Sequence, residues 1–202
     1  MKKHLKHLNK TSNNLRPFDE PLFYKIGKQR PEIMEEFLRL ILNDDALKFK
    51  SSSCREITPD VSGYDSLLAE FSAVTRDDRL IGLLSDEGSE PDVIANACLY
   101  FLLKKEEYMA DTMDYSLIPQ MTIVVLMEKN VYGGNSPFYQ LVWREEKSGW
   151  EYDGIKYIFV NGEYKGNDPL GNYIHDFMCD DVDSMIIDSI KEALKFFETY
   201  GE

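Results

Sequence analysis

Apolar positions along this chain follow two rhythms, and the switch between them divides it into elements. From Pro31, PEIMEEFLRLIL places Ile33, Met34, Phe37, Leu38, Ile41 and Leu42 on one helical face. Proline suits a first helical position, and Glu32, Glu35 and Glu36 favour its positive end. Residues 47–60 are less regular: LKFK suits a short strand leading into a polar loop. LLAEFSAVT (67–75) and LIGLL (80–84) then read as two strands joined by the charged tip RDD, a hairpin. Ser89 can cap a following helix with Pro91 early in it, whose apolar face would be Val93, Ile94, Ala97, Cys98, Phe101 and Leu102, continuing toward Tyr108.

The second half returns to strands. MTIVVLM (121–127) is a continuous apolar run of β-branched character, the pattern of a strand covered on both faces and central in its sheet. NVYGGNSP is a turn by composition, PFYQLVWRE and IKYIFVN predict further strands, and GEYKGNDPLG predicts a loop. In DVDSMIIDSIKEALKFFETYGE, Val182, Ile186, Ile190, Ala193, Leu194 and Phe197 recur at helical spacing, so the pattern predicts a closing helix with Gly201 near its end. Helix, then sheet, then helix gives a single mixed α/β domain, residues 15–202, preceded by a basic tail at 1–14. No internal repeat breaks this organisation.

Charge narrows the partners. The 202-residue chain carries a formal net charge of −13, and the first ten residues, MKKHLKHLNK, hold four lysines and no acid. Residues 11–202 therefore hold 19 basic and 36 acidic groups, a balance of −17. Such a surface repels phosphate backbones, which disfavours direct nucleic-acid binding and makes a protein with a basic surface the easier partner. Cys54, Cys98 and Cys179 are far apart in sequence and never in a Cys-x-x-Cys pair, so reduced, mostly buried thiols are expected. No apolar run reaches signal-peptide or membrane-spanning length, and the expectation is a cytoplasmic protein with no membrane partner.

Three stretches together resemble the PD-(D/E)XK nuclease family transposases, the recombination-promoting nucleases. They are LRPFDEPLFYKIG with the helix and LILNDD that follow, MTIVVLMEKNVYGGNSPFYQL, and YIFVNGEYKGNDPLGNYIHDFMCDDVDSM. The resemblance implies a restriction-endonuclease-like α/β fold, a mixed sheet flanked by helices. It also implies one or two Mg²⁺ ions held by an acid on one strand and a second acid on the next, with a Lys or Gln two positions further on. Mg²⁺ is a hard cation that wants oxygen ligands, and it lowers the pKa of bound water while neutralising charge on the phosphate.

Laid on this chain, the family pattern puts the first acid at Glu70, the second at Leu84, and the Gln position at Asp86. Leucine offers a metal no oxygen. The arginines expected on the next helix are missing too, since PDVIANACLYF holds no basic residue before Lys104. A bulge or one-residue slip would bring Asp86 toward Glu70, because residues 84 and 86 face the same side of a strand. A migrated site would then use Glu70 and Asp86 as metal ligands, with Glu87 beside them. The simpler reading makes Asp86 and Glu87 solvated turn residues.

Other candidates are weaker. His175 neighbours Asp176, Asp180 and Asp181, yet one His without a second at ligand spacing is a poor metal signal, and an element end is the simpler reading. GEYKGNDPLG lacks a phosphate-loop lysine and hydroxyl, and SGYDS lacks a base. Acids cluster at Asp86, Glu87, Glu90 and Asp92, at Glu106, Glu107, Asp111 and Asp114, and at Asp176, Asp180, Asp181 and Asp183. Three functions fit: a degenerate, non-cleaving nuclease-like domain that binds a protein and needs no cofactor; a weak Mg²⁺-dependent DNA endonuclease of a mobile element; and an acidic inhibitor that imitates nucleic acid.

Overall fold

The computed structural model describes residues 15–56, 67–88, 90–112 and 119–200. The tail at 1–14, the SGYDS stretch and the capping Ser89 lie outside them. Helices α1 (Glu20–Gln29) and α2 (Pro31–Leu42) lead into strands β1 (Phe49–Glu56), β2 (Leu67–Thr75) and β3 (Leu80–Asp86). Helix α3 (Glu90–Thr112) crosses to β4 (Met121–Met127). Strands β5 (Phe138–Arg144) and β6 (Glu151–Asn161) follow, then α4 (Pro169–Met178), a single 3-10 turn at Val182–Ser184, and α5 (Asp188–Tyr200). The six strands make one mixed sheet in the order β1-β2-β3-β4-β6-β5. β1, β2 and β3 form an antiparallel meander, β3, β4 and β6 run parallel, and β5 is antiparallel to β6. A parallel β3–β4 pair requires a crossover connection, and α3 supplies it.

The strand period sorts side chains to two faces. Phe71, Ala73, Ile81, Leu83, Val124, Leu126, Ile158 and Val160 enter one core with residues of α1, α2, α4 and α5. There Phe37 stacks on Phe177 with centroids 4.9 Å apart. Leu80, Leu84, Ile123, Val125 and Phe159 enter a second core beneath Val93, Ala97 and Tyr100 of α3. The sheet is thus sandwiched between one helix and four. β4, covered on both sides, is buried at every residue, as its unbroken apolar run requires.

Several elements differ from the sequence expectation. β1 runs through SSSCRE, where a polar loop was expected, because an edge strand open to solvent tolerates serine on its outer face. α1 and α4 were not foreseen. α4 begins inside the expected GEYKGNDPLG loop, with Asp168 accepting from Gly171 N–H at 2.9 Å and Pro169 in its first turn. The closing helix starts only at Asp188, and Ile186, placed by periodicity on its buried face, is 51 % exposed. On α3 Tyr100 joins Val93 and Ala97 on the inward face, whereas Leu102, expected there, faces outward at 57 % exposure. None of the three cysteines is in a disulfide among the described residues, and all three are half-buried. Among the described residues no helix is long and apolar enough to cross a membrane.

Candidate functional site

Register decides what the sheet offers here. Glu70 on β2 and Leu84 on β3 are direct cross-strand partners, so both side chains rise on the face covered by α3. The only irregularity of this pairing lies at Leu67/Ala69, beyond Glu70, and Asp86 stands opposite Leu67. No slip brings Asp86 opposite Glu70. Two residues along a strand separate it from that position by roughly 6.6 Å.

Glu70 is buried beneath α3. Its Oε1 lies 2.5 Å from the Lys104 Nζ and accepts from the Tyr100 hydroxyl at 3.1 Å. Tyr100 and Lys104 are one helical turn apart, so α3 presents both to the same carboxylate. Gly82 makes this possible: a Cβ there would sit 2.3 Å from the Tyr100 ring. Lys104 also donates to Glu107 Oε2 at 3.1 Å, and Glu107 in turn accepts from Arg55 of β1 at 2.6 Å. Charge therefore alternates from the exposed Arg55 through Glu107 and Lys104 to buried Glu70. Burial raises the Glu107 pKa, but the bonds from Lys104 and Arg55 outweigh it and the net shift is downward. Burial, reinforced by the neighbouring Glu70 charge, pushes the Tyr100 hydroxyl well above its ordinary value.

Asp86 and Glu87, expected as turn residues or as a displaced site, have different surroundings. Asp86 is fully buried rather than solvated. It accepts from Gly88 N–H at 2.6 Å and from Asn96 Nδ2 at 2.9 Å, fastening the end of β3 to the start of α3. Glu87 turns to Arg16, 3.7 Å away, which also pairs with Glu128 at 2.8 Å and Asp19 at 2.9 Å. Burial lowers the Arg16 pKa, and bonds to Asp19 and Glu128 more than reverse this. The three sequence candidates thus have different side-chain partners: Glu70 has Lys104, Asp86 has Asn96 and Glu87 has Arg16.

Among the described residues no three His, Cys, Asp or Glu side chains come together as a metal-holding group. The residues do not fit the Mg²⁺ that the family resemblance implies. The position across from Glu70 is hydrocarbon, and an ammonium lies against the Glu70 oxygen. His175 does not gather the neighbouring acids. Its Nδ1 lies 2.8 Å from Asp176 Oδ1, and buried Asp176 accepts from the N–H groups of Ile186 and Ile187 at 2.9 and 2.6 Å. Asp176 therefore ties α4 to the entry of α5. With Asp86 and Asp176 in the interior, two of the three acidic runs are less continuous as surfaces than their spacing suggests.

Sequence reasoning missed Lys104, Tyr100 and Asn96. The signal was present for Lys104, which follows Val93, Ala97 and Tyr100 at helical spacing and shares their inward face. No family model, curated protein or solved structure matches the chain.

Proposed function

We propose that this chain is a degenerate PD-(D/E)XK nuclease-like domain that does not cleave nucleic acid and acts by binding a protein. One observation carries the reading. Glu70 faces Leu84 across the strand pair where the resemblance calls for two acids, and Lys104 neutralises Glu70 from α3. A carboxylate already paired with an ammonium and a phenol, with no second oxygen opposite, is a poor ligand for a hard cation. The fold agrees with the resemblance at the coarse level of a mixed sheet flanked by helices, with the two compared positions on adjacent strands.

The binding half of the reading is supported by the β5–β6 hairpin. Every residue from Val142 to Glu151 is exposed, and Trp143 and Trp150 are 57 % and 63 % exposed. Tryptophan is enriched among residues that dominate protein interfaces, and β5 is an edge strand. The net charge of −13 favours a basic partner and opposes a phosphate backbone.

Incubation with supercoiled plasmid and Mg²⁺ or Mn²⁺ tests the first half. The expected result is no nicking above that of Glu70→Ala; metal-dependent nicking lost in Glu70→Ala and Asp86→Ala would sink it. For the second half, partners recovered from the native host should be retained by the wild type and lost by a Trp143→Ala/Trp150→Ala variant. Equal recovery by both would count against the hairpin.

A further inference from the structure

We infer that Lys104 is a resident cation: its ammonium occupies a two-carboxylate seat formed by Glu70 and Glu107, and thereby closes that seat to divalent metal ions. This rests on the non-cleaving reading above and gives it a physical agent. The misfit between these residues and a metal is then an occupied position as well as a lost ligand.

The geometry is that of a shared cation. Nζ of Lys104 lies 2.5 Å from Glu70 Oε1 and 3.1 Å from Glu107 Oε2. The Lys104 and Glu70 side chains are 6 % and 7 % exposed. Two carboxylate oxygens, one from β2 and one from α3, thus contact the ammonium, and the Tyr100 hydroxyl donates to the first of them at 3.1 Å. The Tyr100 ring also lies beside it, 5.5 Å from Nζ to centroid. Truncating Lys104 to alanine removes the ammonium and the methylenes beneath it while leaving the oxygens. Two buried or half-exposed carboxylates facing a vacated space repel each other, and a small hard cation relieves that repulsion. Because the ammonium is covalently tethered, its effective concentration at the seat exceeds that of dilute external ions. Wild type should therefore leave the seat closed to them.

The test uses Tb³⁺, an oxygen-seeking ion whose luminescence is sensitised by a nearby tyrosine, here Tyr100. Four full-length proteins are compared: wild type, Lys104→Ala, Glu70→Gln, and Glu70→Gln/Lys104→Ala. Subtracting each Glu70→Gln signal from its parent removes ions held elsewhere on this acidic surface. The expected result is no Glu70-dependent luminescence in wild type and a saturable Glu70-dependent signal in Lys104→Ala. Should Lys104→Ala be poorly folded alone, Ca²⁺ should restore its circular dichroism. At about ten times its dissociation constant, Ca²⁺ should raise the melting temperature by roughly 5 °C over the double variant.

A Lys104→Ala protein showing neither luminescence nor thermal rescue beyond the double variant would overturn the inference and leave the non-cleaving reading standing. A Glu70-dependent signal already present in wild type would overturn it also. If plasmid nicking accompanied that signal, the non-cleaving reading would fall as well.

Discussion

Lys104 Nζ and Glu70 Oε1 lie 2.5 Å apart with both side chains almost fully buried, joining the middle of α3 to β2. Removing one partner of such a pair strands the other charge in a low-dielectric interior, at about 3–5 kcal/mol, whereas replacing both with apolar groups of similar volume is often close to neutral. Lys104→Met, which leaves the buried Glu70 carboxylate without its ammonium, should lower stability by about that amount. Glu70→Leu, which leaves Lys104 its Glu107 contact, should lower it less, and the double variant should recover most of the loss. Urea unfolding of the four proteins measures the coupling. Additive losses would show that the pair does not act as a unit.

Gly82 gives Tyr100 its seat. A methyl group there would overlap the ring at 2.3 Å, so Gly82→Ala must displace Tyr100 or open the β3–α3 contact. The expected cost is about 1–3 kcal/mol, typical of overpacking. Tyr100→Phe, which keeps the ring, should leave the overlap in place and add little relief. Thermal unfolding of the two single variants and the double checks this.

Alkaline pH should weaken the fold through Tyr100. Its folded pKa is raised well above 10.0, so the folded state retains a proton that the unfolded state releases. The contribution is fully present below about pH 10 and is lost as pH rises toward the folded value. Tyr157 and Tyr173 are shifted in the same direction, so Tyr100→Phe should flatten the alkaline limb of a stability-pH profile without abolishing it. An unchanged slope would contradict the buried Tyr100–Glu70 contact.

Glu107 acts at the other end of the scale. Its folded pKa lies below 4.5, so the stability it confers is present above about pH 4.5 and disappears as pH falls through the depressed value. Glu107→Gln should lower stability at pH 7 by what the ionised carboxylate contributes there and should flatten the acid-induced loss in that window, the two proteins converging at the acid end. Stability measured from pH 2 to 7 in both proteins decides it.

Asp176 should prove structural. Asp176→Ala leaves the N–H groups of Ile186 and Ile187 without their carboxylate, and about 1–3 kcal/mol of stability should be lost. His175→Ala should cost far less, and Zn²⁺ should shift the melting temperature of neither the variants nor the wild type. A zinc-dependent shift abolished by His175→Ala would restore the metal reading of this stretch. Trp143→Ala/Trp150→Ala should likewise stay within about 0.5 kcal/mol of wild type, because both side chains face solvent.

What could be read from the sequence follows the reach of each interaction. α2, β2 and β4 were legible because apolar spacing, Pro31 and the unbroken MTIVVLM run are local signals that agree with their tertiary surroundings. α4 was legible in principle, through Asp168 and Pro169 before Leu170, Tyr173, Ile174 and Phe177, but the flanking glycines masked it. The late start of α5 was not, since Asp176, ten residues upstream, captures the N–H groups of Ile186 and Ile187. At the candidate site, Glu70 and Leu84 were singled out by the family pattern laid on the chain, and the β2–β3 register makes them cross-strand partners. The pairing of Glu70 with Lys104, 34 positions along the chain, depends on how α3 crosses the sheet. Asp86 shows the converse limit: an acid in a turn-like stretch reads as solvated until Gly88 and Asn96 enclose it.

The most direct measurement is anomalous diffraction from a crystal of the wild-type protein soaked in Mn²⁺. The expected map has no anomalous peak at Glu70, with the Lys104 ammonium in hydrogen-bonding contact with its carboxylate. An ordered Mn²⁺ bridging Glu70 and Asp86, with Lys104 swung away, would contradict the account.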